Sequence, residues 1–323
     1  MVDKKTVNAI VSRYQKPDLK RCLWQMVDSF APYLISWYLM YLSLSVSYWL
    51  TLALALPAAG FLIRIFIIFH DCGHGSFFKS SKANHFWGTI TGILTFTPYY
   101  EWRHNHAIHH ATAGDLDKVG PGSVLTLTVE QYKNASTWGK IKYRIYRNPL
   151  IMFTIGALLN FLVIHRFTSS ISTGKDRQSV YLTNFAVVGI AVLLSLLMGF
   201  KAFLLIQLPI IAFASTFGVW LFYLQHQFEG VYWARHDKWD RIDAALKGSS
   251  FYKLPKVLQW FSGNIGFHHI HHLSPAIPNY YLEKCHKENP IFQAVKPITM
   301  FSAFKSFSLR LYDEAAGKLV GYP

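Results

Sequence analysis

The sequence predicts an all-α membrane protein: four transmembrane helices in two hairpins, with a cytoplasmic helical cap built on their ends. Three observations carry this expectation. Of the 323 residues, 52% are hydrophobic and 16% aromatic, too apolar for an ordinary soluble domain. From Ser29 to Ile63 there is no charged residue. Three histidine clusters, His70-Asp71-Cys72-Gly73-His74, His106-Ala107-Ile108-His109-His110 and His268-His269-Ile270-His271-His272, each lie close to a long apolar run.

The spans are assigned in chain order. A crossing helix needs roughly 20 residues, so the apolar stretch that continues past Arg64 to Phe69 is long enough for two, at about 30–47 and 49–69. Tyr48 and Trp49 suit an outer interface, where amphipathic rings are favoured. Pro57 and Gly60 are tolerated in membrane helices. The stretch 86–100, with Gly88, Gly92 and Pro98, is too short to cross and reads as an interfacial element.

Three later segments compete to be spans: Pro149 to Ile164, Gln178 to Phe200 and Ala202 to Leu224. If all three crossed, the third histidine cluster would emerge on the opposite side from the first two, which a shared metal site forbids. The first is short and is followed by Arg166, Lys175 and Arg177, which read as cytoplasmic loop charges. The expectation is therefore spans at 179–199 and 202–224, with 149–164 interfacial or re-entrant. The parts 70–148 and 225–323 then form one cap, and 1–323 is a single domain in the cell membrane.

Lys and Arg total 32 against 17 Asp and Glu, an excess of +15. A nucleic-acid partner is not expected, because positive charge facing the anionic cytoplasmic leaflet accounts for the surplus. Cys22, Cys72 and Cys285 have no paired spacing, so neither a disulfide framework nor a cysteine metal site is indicated. The polar, basic stretch from Val2 to Arg21 does not look like a removable signal peptide.

The clusters carry the chemistry. Imidazole is a common ligand for first-row transition metals, and the spacings i, i+3 and i+4 put His70 and His74, then His106, His109 and His110, then His268, His271 and His272 on one stripe of a helix each. Eight such residues are too many for one tetrahedral ion and fit a two-metal site. His85, His165, His236 and His286 stand alone and read as ordinary core or interface residues, while His104 and His269 lie off the repeated spacing.

The pattern HDCGH, HAIHH, HHIHH resembles the three histidine boxes of the integral-membrane fatty acid desaturases, HxxxH, HxxHH and HxxHH. The likeness extends through HDCGHGSFF at 70–78, HHATAGDLDKVG at 109–120, LFYLQHQFE at 221–229 and the stretch 248–280, and it is closest in character to bacterial acyl-lipid desaturases. The resemblance implies two iron ions, dioxygen as co-substrate, and a cis double bond introduced into acyl chains of membrane phospholipids. It also implies a ninth ligand, His226, near the end of the last span.

With only neutral imidazoles on the irons, nearby acids would orient the ring N–H groups; Asp71, Glu101, Asp115, Asp117 and Glu229 are the candidates. Trp87, Trp102, Trp260 and Phe267 are candidate walls of an apolar channel for the acyl chain. The chain has no dinucleotide fingerprint, CxxC motif or cytochrome b5 haem motif, so the resemblance implies a separate electron donor, a ferredoxin or flavodoxin. A hydroxylase or ketolase of the same superfamily would use the same histidines. A histidine-rich metal transporter would place its ligands near mid-membrane, rather than at span ends.

Overall fold

A computed structural model describes residues 4–118 and 120–323. A short helix, α1 (Lys4–Val11), leads into α2 (Leu19–Ser43), whose first turn is capped by the Asp18 carboxylate accepting the Arg21 N–H at 3.1 Å. α3 (Tyr48–His74) follows after four residues. Gly75, at φ 72°, ends it one residue past the first histidine box by closing its N–H onto the carbonyls of Asp71 and Cys72. α4 (Ser81–Leu94) and α5 (Tyr99–Thr112) pack closely because position 88 is glycine: a Cβ there would lie 2.1 Å from the Tyr99 ring.

Two short helices come next, α6 (Val129–Asn134) and α7 (Thr137–Tyr146). The apolar segment beyond them is interrupted: α8 (Pro149–Ile151), a π-helical turn at Met152–Gly156, α9 (Ala157–Leu162) and a 3-10 turn at Ile164–Arg166. Two long helices, α10 (Gly174–Met198) and α11 (Phe200–His226), are separated by Gly199 at φ 89°. Four short helices complete the part that concerns the site: α12 (Arg241–Leu246), α13 (Lys256–Phe261), α14 (His268–Leu273) and α15 (Asn279–Glu288). Strands among the described residues are limited to two short pairs, Phe251–Tyr252 beside Pro297–Ile298 and Leu311–Asp313 beside Lys318–Val320.

The long helices share one core. Tyr33 and Met40 of α2, Ala55, Ala58, Leu62 and Ile65 of α3, and Ile206 and Ile210 of α11 are buried together, the alanines letting the helices approach closely. Trp37 donates its indole N–H to Gln207 at 3.1 Å, and Ser43 meets Thr51 at 2.7 Å across the α2–α3 connection. A partly buried ion pair, Arg64 with Asp28 at 3.1 Å, links α3 to α2. The same guanidinium stacks 3.9 Å over Trp260 and so holds α13 against them.

Each long helix starts before its assigned span, and α3 and α11 also run past theirs to His74 and His226. Four segments are long and apolar enough to cross a membrane: Tyr48–His74, Pro149–Arg166, Gly174–Met198 and Phe200–His226. This differs from the assignment of 30–47, 49–69, 179–199 and 202–224. α2 falls outside the set because Trp, Tyr and Ser residues dilute its apolar character, and Pro149–Arg166 enters it on composition.

Both ends of that segment are nevertheless bonded at the histidine end of the long helices. Before it, buried Arg147 donates to Gln227 at 2.8 Å, one residue beyond His226, and Phe153 packs edge-on against Tyr223 at 5.2 Å. After it, Ser172 donates to Glu101 at 2.7 Å and Asp176 bonds His104 at 2.9 Å, both partners lying on α5 beside the second box. Midway, Leu158 reaches down to a groove lined by Leu52, Leu205 and Leu208.

Candidate metal centre

The fold brings nine imidazoles together in two adjoining groups. His70, His74, His106, His110 and His271 form one, with a nitrogen from each lying within 4.8 Å of the others; His109, His226, His268 and His272 form the second by the same measure. α3 supplies the first box at its C-terminal end, and α11 supplies His226 as its last residue, so these two helices deliver their histidines to the same end of the bundle. α5 and α14 bring the other two boxes to that end. Gly266 lets α14 approach, since a Cβ there would stand 2.4 Å from the Tyr252 carbonyl oxygen.

The second and third boxes each divide between the groups. At about 100° per residue, positions i+3 and i+4 fall on either side of position i, so a helix lying between two centres feeds both. His106 and His110 serve the five-membered group while His109 turns to the other. α14 does the reverse, giving His268 and His272 to the four-membered group and His271 to the first. The single-stripe expectation is refined accordingly.

Within the first group, Nε2 atoms meet at 3.2 Å between His70 and His106, 3.1 Å between His106 and His110, and 3.1 Å between His110 and His271. In the second, His226 Nε2 lies 3.1 Å from both His109 and His268. A ring nitrogen carries one proton or one lone pair, so His106, His110 and His226, each with two such neighbours, are poorly served by hydrogen bonding. Nitrogens aimed at a common cation explain the arrangement. Metal–nitrogen bonds of about 2.0–2.1 Å separate neighbouring donors by about 2.9–3.4 Å between octahedral and tetrahedral angles, and the observed spacings lie in that interval. His74 Nε2 and His272 Nε2 are buried with no hydrogen-bond partner, as expected of atoms meant for a metal. The donor set therefore fits two metal ions.

Burial, reinforced by the surrounding imidazoles, holds His106, His109, His110, His268, His271 and His272 well below the usual histidine range. They are neutral near pH 7 and their lone pairs are free for a cation.

Outer partners fix several rings. His70 Nδ1 is 3.1 Å from Asp71 Oδ1, and the other Asp71 oxygen accepts from the Asn279 backbone N–H at 2.6 Å and its side-chain amide at 2.8 Å. His109 Nδ1 meets Ser123 Oγ at 3.0 Å, and His226 Nδ1 meets the Gly248 carbonyl at 3.3 Å. Trp102 stacks on His106 with ring centres 4.2 Å apart. Asn279, Ser123 and Gly248 went unnoticed in the sequence, which has no local signal for a partner supplied from a distant loop.

The other acid candidates are engaged elsewhere. Asp117 pairs with Arg235, exposed Glu229 lies 3.8 Å from Lys305, and Glu101 accepts from Ser172. Asp115 lines a cavity of about 50 Å³ beside His109 and His226, yet its carboxylate bonds His236 at 2.7 Å. Among the aromatic candidates only Trp102 touches the cluster imidazoles in the described residues. Trp87 packs edge-on to Phe30, Trp260 lies under Arg64, and Phe267 stacks on Phe251. His269 backs onto His286 at 3.3 Å, outside both groups.

The comparisons agree with this geometry. A sequence model of a family described as fatty acid desaturase matches residues 46–301. A fatty acid desaturase of Bacillus subtilis (strain 168) is 48% identical over 99% of this chain and 91% of its own length. The sn-1 acyl-lipid omega-3 desaturase (ferredoxin) of Synechocystis is 28% identical over 72% of this chain and 64% of its own. The sn-1 oleoyl-lipid 12-desaturase of Arthrospira platensis is 26% identical over 75% and 69%. With nine clustered histidines, apolar helices fit for a bilayer and a match over most of its length, this chain belongs to the fatty acid desaturase family of membrane oxidoreductases.

Proposed function

We propose that the nine imidazoles hold two irons and that the protein introduces a cis double bond into acyl chains already esterified in membrane glycerolipids. The observation that carries this reading is the pair of convergent histidine groups at the ends of membrane-length helices. In balanced form, –CH2–CH2–, O2, two electrons and two protons give –CH=CH– and two waters. The bound irons supply the oxidising chemistry with dioxygen that no side chain possesses.

The protein's own residues orient and enclose. Asp71 accepts from the His70 ring, Ser123 and Gly248 fix the His109 and His226 rings, and Trp102 covers His106. The burial of the four-histidine group keeps water away from it. Electrons come from a separate carrier of the ferredoxin or flavodoxin kind, since the chain has no redox motif of its own.

The same reading assigns topology. α2 with α3, and α10 with α11, form two hairpins that cross the cell membrane, while Pro149–Arg166 enters and returns on the histidine side, as the bonds at both its flanks support. Lys201 is the one charged residue in the run 178–228. Apart from Lys201 and Arg64, the Lys and Arg residues then lie on the cytoplasmic side, before the first span, in the cap and in the stretch 166–177. Introduced cysteines at Ser81 and Gly174 are expected to react with a membrane-impermeant reagent only from the cytoplasmic side, and those at Ser45 and Lys201 only from outside. Labelling of the Gly174→Cys variant from outside would show that Pro149–Arg166 crosses.

The functional test uses reconstituted enzyme, iron, reduced carrier and oxygen, with labelled phospholipid in vesicles or the matching acyl-carrier-protein and CoA thioesters. Mass spectrometry is expected to find chains lighter by two hydrogens in the phospholipid pool alone. Unsaturation confined to a thioester pool would sink the acyl-lipid assignment, and a gain of oxygen would mark a hydroxylase.

A further inference from the structure

α7 turns outward a face that a water-facing helix would avoid. Tyr143 is buried with Tyr132 and Leu311 and fixes the helix to the body of the protein. On the opposite side Trp138, Ile141 and Ile145 are 61%, 41% and 50% exposed, within an arc of about 60° at helical spacing. No acidic residue occurs in Thr137–Tyr146. Lys133 on α6 and Lys142 on α7 are exposed and make no ion pair among the described residues, whereas Lys256 and Lys287 share Glu283 and Lys140 turns back over the Tyr132 ring, 5.9 Å from its centre. The Lys142 ammonium lies 5.5 Å from the Trp138 ring centre, which places charge directly beside the apolar stripe.

In the chain, the helix joins the loop beside the metal centre to the segment suited to the bilayer. Through Arg147 it leads into Pro149–Arg166, where Leu150 is 77% exposed, so the apolar surface is continuous with a segment suited to the bilayer. The Tyr143 and Tyr146 hydroxyls accept the N–H groups of Leu127 and Leu125, in the same loop whose Ser123 bonds His109.

We propose that α7 is an interfacial helix that docks on acidic phospholipid: Trp138, Ile141 and Ile145 enter the acyl region while Lys133 and Lys142 meet the phosphates. The inference deepens the membrane reading above and rests on the histidine end lying at a bilayer surface. An apolar stripe bordered by cations matches an anionic lipid surface. An acidic soluble carrier would satisfy the lysines and leave the stripe in water.

The test uses the full chain in phosphatidylcholine nanodiscs doped equally with photoreactive phosphatidylglycerol or photoreactive phosphatidylcholine, followed by peptide mapping. Labelling of residues 137–150 by phosphatidylglycerol is expected to exceed that by phosphatidylcholine by about tenfold. The preference is expected to vanish in the exposed-surface variant Lys133→Gln/Lys142→Gln, and labelling by both lipids to fall in Trp138→Ser. Equal labelling of the unaltered protein by the two lipids, or a preference that survives the double change, overturns the proposal. So does protection of the peptide by added ferredoxin without any lipid preference, which assigns the face to an acidic protein. The labelling needs no iron, oxygen or turnover, so failure of the desaturase reading would not affect its outcome.

Discussion

His226→Ala is expected to insert normally, to retain about one iron per chain in place of the two proposed for the unaltered protein, and to lose turnover by more than about 100-fold. The asymmetry between the groups drives this. Removing His226 leaves three imidazoles from a set of four, and His226 is the central member, 3.1 Å from both His109 and His268. Loss of an outer partner alone costs metal sites about 10–100-fold, so loss of the ligand itself must exceed that. His106→Ala is the informative comparison, because its group keeps four nitrogens. It is expected to retain more metal than His226→Ala while also losing activity. Metal analysis of both purified variants, beside an assay of the acyl chains, checks the pair. Two irons and full turnover in His226→Ala would remove that residue from the ligand set and leave the second group without a centre.

His226 also shows what could be read in the chain and what could not. The three boxes are legible because i, i+3 and i+4 spacing is a local property of one helix. His226 has no such neighbour: its partners His109 and His268 are 117 and 42 residues away, so only the resemblance drew attention to it. The division of each HxxHH box between two centres was hidden for a related reason. Spacing fixes which side chains share a helix face, but the placement of α5 and α14 against the histidines of α3 and α11 decides which centre each faces.

Two of the acid candidates show the opposite case. Asp117 lies close in sequence to the second box and Glu229 to His226, yet their loops turn them toward Arg235 and Lys305. The segment Pro149–Arg166 carries the composition of a span, while the contacts that hold both its flanks to the histidine end are made by Arg147, Ser172 and Asp176, which composition does not weigh. α2 was legible as a helix and less so as a span, since its Trp and Tyr residues suit an interface as well as a lipid core.

Asp71→Asn is expected to weaken metal binding by about 10–100-fold and turnover at least as much, in a protein that still folds. Asp71 is the one carboxylate bonded to a cluster imidazole among the described residues, and it is only 1% exposed. Each oxygen has a donor on it: Oδ1 takes the His70 ring N–H, and Oδ2 takes two bonds from Asn279. Asparagine is nearly the same shape but has one acceptor oxygen and one donor amide. Whichever way it turns, the amide meets a donor, either the His70 ring or the Asn279 groups. One contact becomes repulsive, and the residue that links the C-terminal end of α3 to the start of α15 no longer holds the His70 ring. The lost negative charge matters too, because the nine imidazoles bring none to balance two divalent ions. Asn279→Ala removes one donor to Asp71 while leaving the carboxylate and the Asn279 backbone bond, so its effect should be several-fold smaller. If the Asp71 link acts through Asn279, the double variant will be little worse than Asp71→Asn alone. Metal titration of the four proteins measures this coupling directly, and unaltered affinity in Asp71→Asn would show that the carboxylate does not orient the ring.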